Sequence, residues 1–116
     1  MAYYDFCYTV SFYDCTAARY KQVNMAVCKD LDHALEVIYD TLKNMAADDT
    51  FTAQKTGEVM TAEDITDLLE QAFKARCEVY MPTAYADSEV FTAEDVPAFM
   101  VSIECTPYGK FYPFAE

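Results

Sequence analysis

The hydrophobic period switches early in the chain from two residues to about 3.6, which calls for strands followed by a helix. From Tyr3 to Tyr13, Tyr4, Phe6, Tyr8, Val10 and Phe12 alternate with Asp5, Cys7, Thr9 and Ser11. Aromatic and β-branched residues at that spacing predict a half-buried strand. Tyr20 to Cys28 alternates again, with Val23, Met25 and Val27 as its expected apolar face. The intervening DCTAARYK contains neither Gly nor Pro, so a connection longer than a two-residue hairpin is expected, with the two strands antiparallel.

The longer period takes over in DLDHALEVIYDTLKNM, Asp30 to Met45. Leu31, Leu35, Ile38, Leu42 and Met45 fall on one helical face. Asp30 is placed to cap the free N–H groups at the start. Asp32, Glu36 and Asp40 climb another face at i+4 intervals, ~6 Å apart at ~1.5 Å rise per residue. Like charges at that spacing cost a helix roughly 0.2–0.5 kcal/mol per pair. The ladder is either a solvated face or a surface displayed to a basic partner. Asp48 and Asp49 follow the helix at its negative end, where they are expected to cost ~0.3–1 kcal/mol, and read as turn residues or as an extension of the acidic surface.

One internal similarity stands out. Glu58-Val-Met-Thr-Ala-Glu-Asp-Ile65 recurs as Glu89-Val-Phe-Thr-Ala-Glu-Asp-Val96. Both copies read as helix starts, with Thr61 and Thr92 as N-caps and Asp64 and Asp95 completing capping boxes. Met60 with Ile65, and Phe91 with Val96, have hydrophobic-staple spacing. After the first copy, Ile65, Leu68, Leu69, Ala72 and Phe73 carry an amphipathic helix to about Arg76, with Glu63, Asp67, Glu70 and Lys74 outside and Glu70 set to pair with Lys74. After the second, Pro97 would break the helix, so only a single turn is expected before a strand.

Cys77 to Met81 reads as a short strand ended by Pro82, and PTAYADSE as a loop. Phe99 to Cys105 reads as a strand, Thr106-Pro-Tyr-Gly109 as a type I turn, and Lys110 to Phe114 as a weak edge strand. The sum is one compact α+β domain over residues 1–116, β-β-α-(β)-α-β-β, with an antiparallel sheet of about four strands and two helices on one face.

Composition narrows the function. Twenty acidic against eight basic residues give a net charge of −12, a field that disfavours direct binding to nucleic acid or anionic membrane and attracts basic proteins. No apolar run is long enough to span a bilayer, and MAYYDFCYTV lacks the features of a signal peptide, so a cytoplasmic protein is expected. Cys7, Cys15, Cys28, Cys77 and Cys105 are odd in number and form no C-x-x-C pair, which favours reduced thiols packed as small hydrophobes. Catalysis has little to draw on. His33 is the one histidine, Asp30, Asp32, His33 and Glu36 make an incomplete metal set, and Gly57 and Gly109 cannot build a phosphate nest. No catalytic residue, metal or cofactor is therefore expected; the one catalytic alternative is a Cys–His pair formed by Cys28 or Cys77 approaching His33.

Binding fits better. The expected function is a non-catalytic inhibitor or regulator of a basic, nucleic-acid-binding protein, acting by charge mimicry. Its surface would comprise Asp32, Glu36, Asp40, Asp48, Asp49, Glu63, Asp67, Glu70, Asp87, Glu89, Glu94 and Asp95. In composition alone the chain resembles phage-encoded inhibitors of restriction and CRISPR systems; no motif carries the likeness and no residue role comes with it. Ten Tyr and eight Phe without Trp support two alternatives: a small-molecule sequestering protein with a Tyr/Phe-lined pocket, or a homo-oligomeric adaptor, possible as a homodimer, with an aromatic strand face.

Overall fold

The computed structural model describes residues 4–16, 21–80 and 84–109. The elements run β1 (Tyr4–Asp14), β2 (Lys21–Cys28), α1 (Leu31–Met45), β3 (Phe51–Ala53), β4 (Val59–Met60), α2 (Ala62–Tyr80), β5 (Tyr85–Asp87), β6 (Phe91–Ala93) and β7 (Val96–Gly109). This is an α+β fold with seven strands where about four were expected. All pairings are antiparallel, in the order β2-β1-β7-β6-β3-β4 with β5 also beside β7. The additional strands are two or three residues long, too short to show a hydrophobic period.

Pairing register sets the core face. Val10 lies between Ala26 of β2 and Ile103 of β7, and Phe12 lies opposite Val101. Val10, Phe12, Phe99, Val101, Ile103 and Cys105 are all buried there. The same register turns Met25 and Val27 of β2 outward, 56% and 61% exposed, and Cys28 takes the core position instead. The expected apolar face of β2 is therefore inverted for these residues; the side chain of Val23 lies outside the described residues. One step of register moves every side chain to the opposite face, and alternation alone does not choose between two weakly apolar faces.

Both helices pack on the inner face. Ala34, Ile38 and Leu42 of α1, and Ile65, Leu69 and Phe73 of α2, are nearly inaccessible to solvent. The Phe73 ring stands 6.0 Å from that of Tyr8 on β1. Phe99 is an aromatic hub, with Phe12, Phe51 and Phe91 ring centroids at 6.4, 5.9 and 6.2 Å. It ties β1, β3, β6 and β7 into one core.

Helix starts follow the local chemistry. The Asp30 carboxylate accepts from the His33 N–H at 2.8 Å. At α2 the capping box closes in both directions: the Asp64 N–H donates to Thr61 Oγ1 at 3.2 Å, and the Thr61 N–H to Asp64 Oδ2 at 3.1 Å. The second copy of the motif does not form a helix. Thr92 lies in β6, and Glu94 and Asp95 form the two-residue connection to β7, with Asp95 at φ 62°. Where the first copy has Thr66 inside the helix, the second has Pro97, which cannot donate there. Pro97 instead sits in the irregular stretch of the β6–β7 pairing, a position that tolerates it.

Three further expectations are corrected. Residues 77–80 extend α2 and do not form a strand, because a helix already capped and nucleated adds residues cooperatively. Thr106 to Gly109 is not a turn but the end of β7, paired with β1 from Cys7 back to Tyr4. Within PTAYADSE, Tyr85 to Asp87 forms β5 and is not a loop. Met81 and the expected edge strand at Lys110 to Phe114 lie outside the described residues.

Candidate functional site

Helices α1 and α2 run antiparallel. Asp49, just past the end of α1, bonds the first residue of α2, and Asp32 at the start of α1 acts electrostatically on Lys74 near the far end of α2. With their apolar stripes on the sheet, both helices turn acids outward. Asp32, Glu36 and Asp40 are exposed on α1, and Glu63 and Asp67 on α2, with Glu70 partly exposed. With Glu70 neutralised by Lys74, the other five carboxylates occupy ~20 Å of helix at ~1.5 Å rise per residue, about one per 4 Å. Duplex DNA presents one charge per ~1.7 Å, so the helix pair reaches about two-fifths of the duplex density.

The described residues contain two ion pairs. Lys74 Nζ lies 2.8 Å from Glu70 Oε2, the expected i,i+4 pair, and Lys43 Nζ lies 3.4 Å from Asp49 Oδ2. Hydrogen bonding and charge from Glu70, with a further contribution from Asp32, raise the Lys74 pKa. Asp32, Glu36, Asp40, Glu63 and Asp67 have no ion-pair partner among the described residues.

Asp49 departs from its expected role. Its carboxylate accepts from the Ala62 N–H at 2.8 Å, so it stands at the positive end of α2, where the dipole favours an anion, and not merely at the unfavourable end of α1. Its φ of 53° fits a residue type that tolerates the left-handed region. Asp48 is a turn residue, accepting from the Thr50 N–H at 3.2 Å.

The remaining predicted acids lie elsewhere. Glu94 and Asp95 are at the β6–β7 turn, in the sheet layer and not on the helix pair. Asp87 and Glu89 line a cleft of about 250 Å³ against the other flank of α2, formed by Ile65, Leu68, Leu69 and Ala72 with Phe91 and Ser88. Sequence reasoning missed this cleft, of which only the helical wall left a signal in the sequence. The apolar arc of α2 is wider than the sheet covers, and Leu68 is left 46% exposed. Phe91 is the one aromatic residue in its lining, so this cleft is not the Tyr/Phe-lined pocket considered above.

Burial, with added repulsion from Cys7 and Asp30, pushes the Cys28 thiol up; burial and Asp14 do the same to Cys15. Both effects reduce the thiolate that nucleophilic chemistry would need. Cys7, Cys15 and Cys28 are free thiols, and Cys28 and Cys105 are buried; the Cys77 side chain lies outside the described residues. Among the described residues no three His, Cys, Asp or Glu side chains are grouped to hold a metal ion. No helix among them is long and apolar enough to cross a membrane. Comparison with known proteins finds no matching family, no matching curated protein and no matching solved structure.

Proposed function

We propose that this chain is a non-catalytic binding protein whose acidic helix pair docks on a basic protein, inhibiting or regulating it by occupying a surface that otherwise binds nucleic acid. The observation that carries this reading is the outward array of Asp32, Glu36, Asp40, Glu63 and Asp67 on two antiparallel helices, with no described ion-pair partner. Solubility alone needs no such alignment. The i+4 ladder also costs α1 some stability, as expected where binding and not folding sets the residue choice. A field of this sign speeds encounter with a cationic surface and repels competing anions. At about two-fifths of the duplex charge density, the helix pair imitates a phosphate backbone in part, so complementary contacts must supply the rest.

Tagged protein is used to capture partners from native lysate, with elution by rising salt. A basic protein released by salt, and not captured by the Asp32→Lys, Glu36→Lys, Asp40→Lys triple variant, supports the reading. Capture that the triple variant retains contradicts it. Unfolding curves of the triple variant keep the test clean, since all three side chains are exposed and make no described core contact.

A further inference from the structure

We propose that the cleft between α2 and the segment from Asp87 to Phe91 is an anchor pocket. It takes one apolar side chain of the protein partner, while Asp87 and Glu89 receive the lysine or arginine residues flanking that anchor. The inference rests on the proposed function and adds where, and through what chemistry, specificity enters.

The pocket is preformed. β5 and β6 follow one another along the same edge of β7, and the chain leaves that edge between them, at Glu89 and Val90. Three hydrogen bonds fix the excursion: the Ser88 N–H donates to the Val101 carbonyl at 2.7 Å, the Val101 N–H to Ser88 Oγ at 2.9 Å, and the Gln54 N–H to the Val90 carbonyl at 2.8 Å. The opposite wall is helical. Ile65, Leu69 and Phe91 are buried, whereas Leu68 and Ala72 are open to solvent. An apolar wall that the fold leaves uncovered, held rigid on both sides, loses little entropy when it is filled.

Size and charge choose the occupant. At about 250 Å³ the cleft lies below the ~300–1,000 Å³ of sites for drug-sized ligands, which suits a single side chain. Asp87 and Glu89 at the rim are exposed and have no ion-pair partner among the described residues. An apolar anchor between cationic neighbours satisfies wall and rim together. A second copy of this chain, at net charge −12, would bring more repulsion than complement.

The probe is a short arginine-rich peptide with one central leucine, compared with the same peptide carrying alanine there. Both are titrated into the intact chain, with amide and methyl NMR shifts as the readout. The leucine peptide is expected to bind about tenfold more tightly, with shifts at Leu68, Ala72 and Glu89. Leu68→Asn should remove that advantage while lowering the melt by only a few degrees, since Leu68 is half exposed and loses part of its packing and helix propensity. Asp87→Asn with Glu89→Gln should weaken the leucine peptide further. Equal affinity for the two peptides, or no effect of Leu68→Asn, overturns the anchor pocket. If both peptides instead shift Asp32, Glu36, Asp40 and Glu63, leave Ala72 and Glu89 unmoved, and lose binding in the Asp32→Lys, Glu36→Lys, Asp40→Lys variant, the acidic-face reading stands while the pocket falls.

Discussion

Asp49 joins the two helices, and its replacement separates three contributions. The carboxylate accepts from the otherwise unpaired Ala62 N–H, pairs with Lys43, and sits on a backbone at φ 53°. Losing a charged cap of this kind costs about 1–2 kcal/mol. Forcing alanine into the left-handed region adds about 1 kcal/mol. The Lys43 pair is partly open to water, at 44% and 26% side-chain exposure, so screening reduces it to a few tenths of a kcal/mol, on the order expected at a surface. Asp49→Ala is therefore expected to cost about 2–3 kcal/mol. Asp49→Gly relieves the backbone and should cost about 1–2 kcal/mol. Asp49→Asn keeps an acceptor and tolerates the backbone, so about 0.5–1 kcal/mol is expected. Near ~4 °C per kcal/mol for a chain of this size, the alanine variant should melt about 8–12 °C lower. Urea unfolding followed by circular dichroism measures all three. An alanine variant within about 0.5 kcal/mol of the parent, or an asparagine variant as damaged as alanine, refutes the assignment.

Three other outcomes follow from the core and the turns. Phe99→Ala removes the hub of the aromatic cluster and should cost about 3–5 kcal/mol in urea unfolding, against roughly 1–1.5 kcal/mol for Phe99→Leu. Gly57, at φ 77° in the β3–β4 turn, has open space where a Cβ would go, so Gly57→Ala should lose about 1 kcal/mol from backbone strain alone and Gly57→Asn less. The raised Cys28 pKa means that the folded chain holds this thiol proton more tightly than the unfolded chain does. That stabilisation is complete below the unfolded value of ~8.5 and is lost as pH rises through the folded value, so the melt should fall on the alkaline side and fall less in Cys28→Ala.

Features settled by neighbours in sequence were legible before the structure. The Asp30 cap, the Thr61–Asp64 box, the Glu70–Lys74 pair and both apolar helix stripes depend on residues within a turn or two. Features settled by distant pairing were not. Met25 and Val27 face outward because the register with β1 puts Ala26 and Cys28 beside Val10 and Tyr8. The repeated Thr-Ala-Glu-Asp makes a helix at Thr61 and a strand and turn at Thr92, decided by Pro97 and the long partner strand β7. Of the candidate site, the α1 ladder and the outer acids of α2 were readable from spacing. The second role of Asp49 was not, because its bond to Ala62 spans thirteen positions. The Leu68 cleft needed the path of Ser88 to Val90 along β7, which no local pattern encodes.

The acidic-face account is tested most directly by the affinity of the captured basic partner as a function of salt, for the parent chain and for the Asp32→Lys, Glu36→Lys, Asp40→Lys variant. Contact through this face predicts an association constant that falls steeply with salt in the parent and is largely gone in the variant, while both unfold alike. A constant that barely responds to salt and is the same for the two proteins would contradict it.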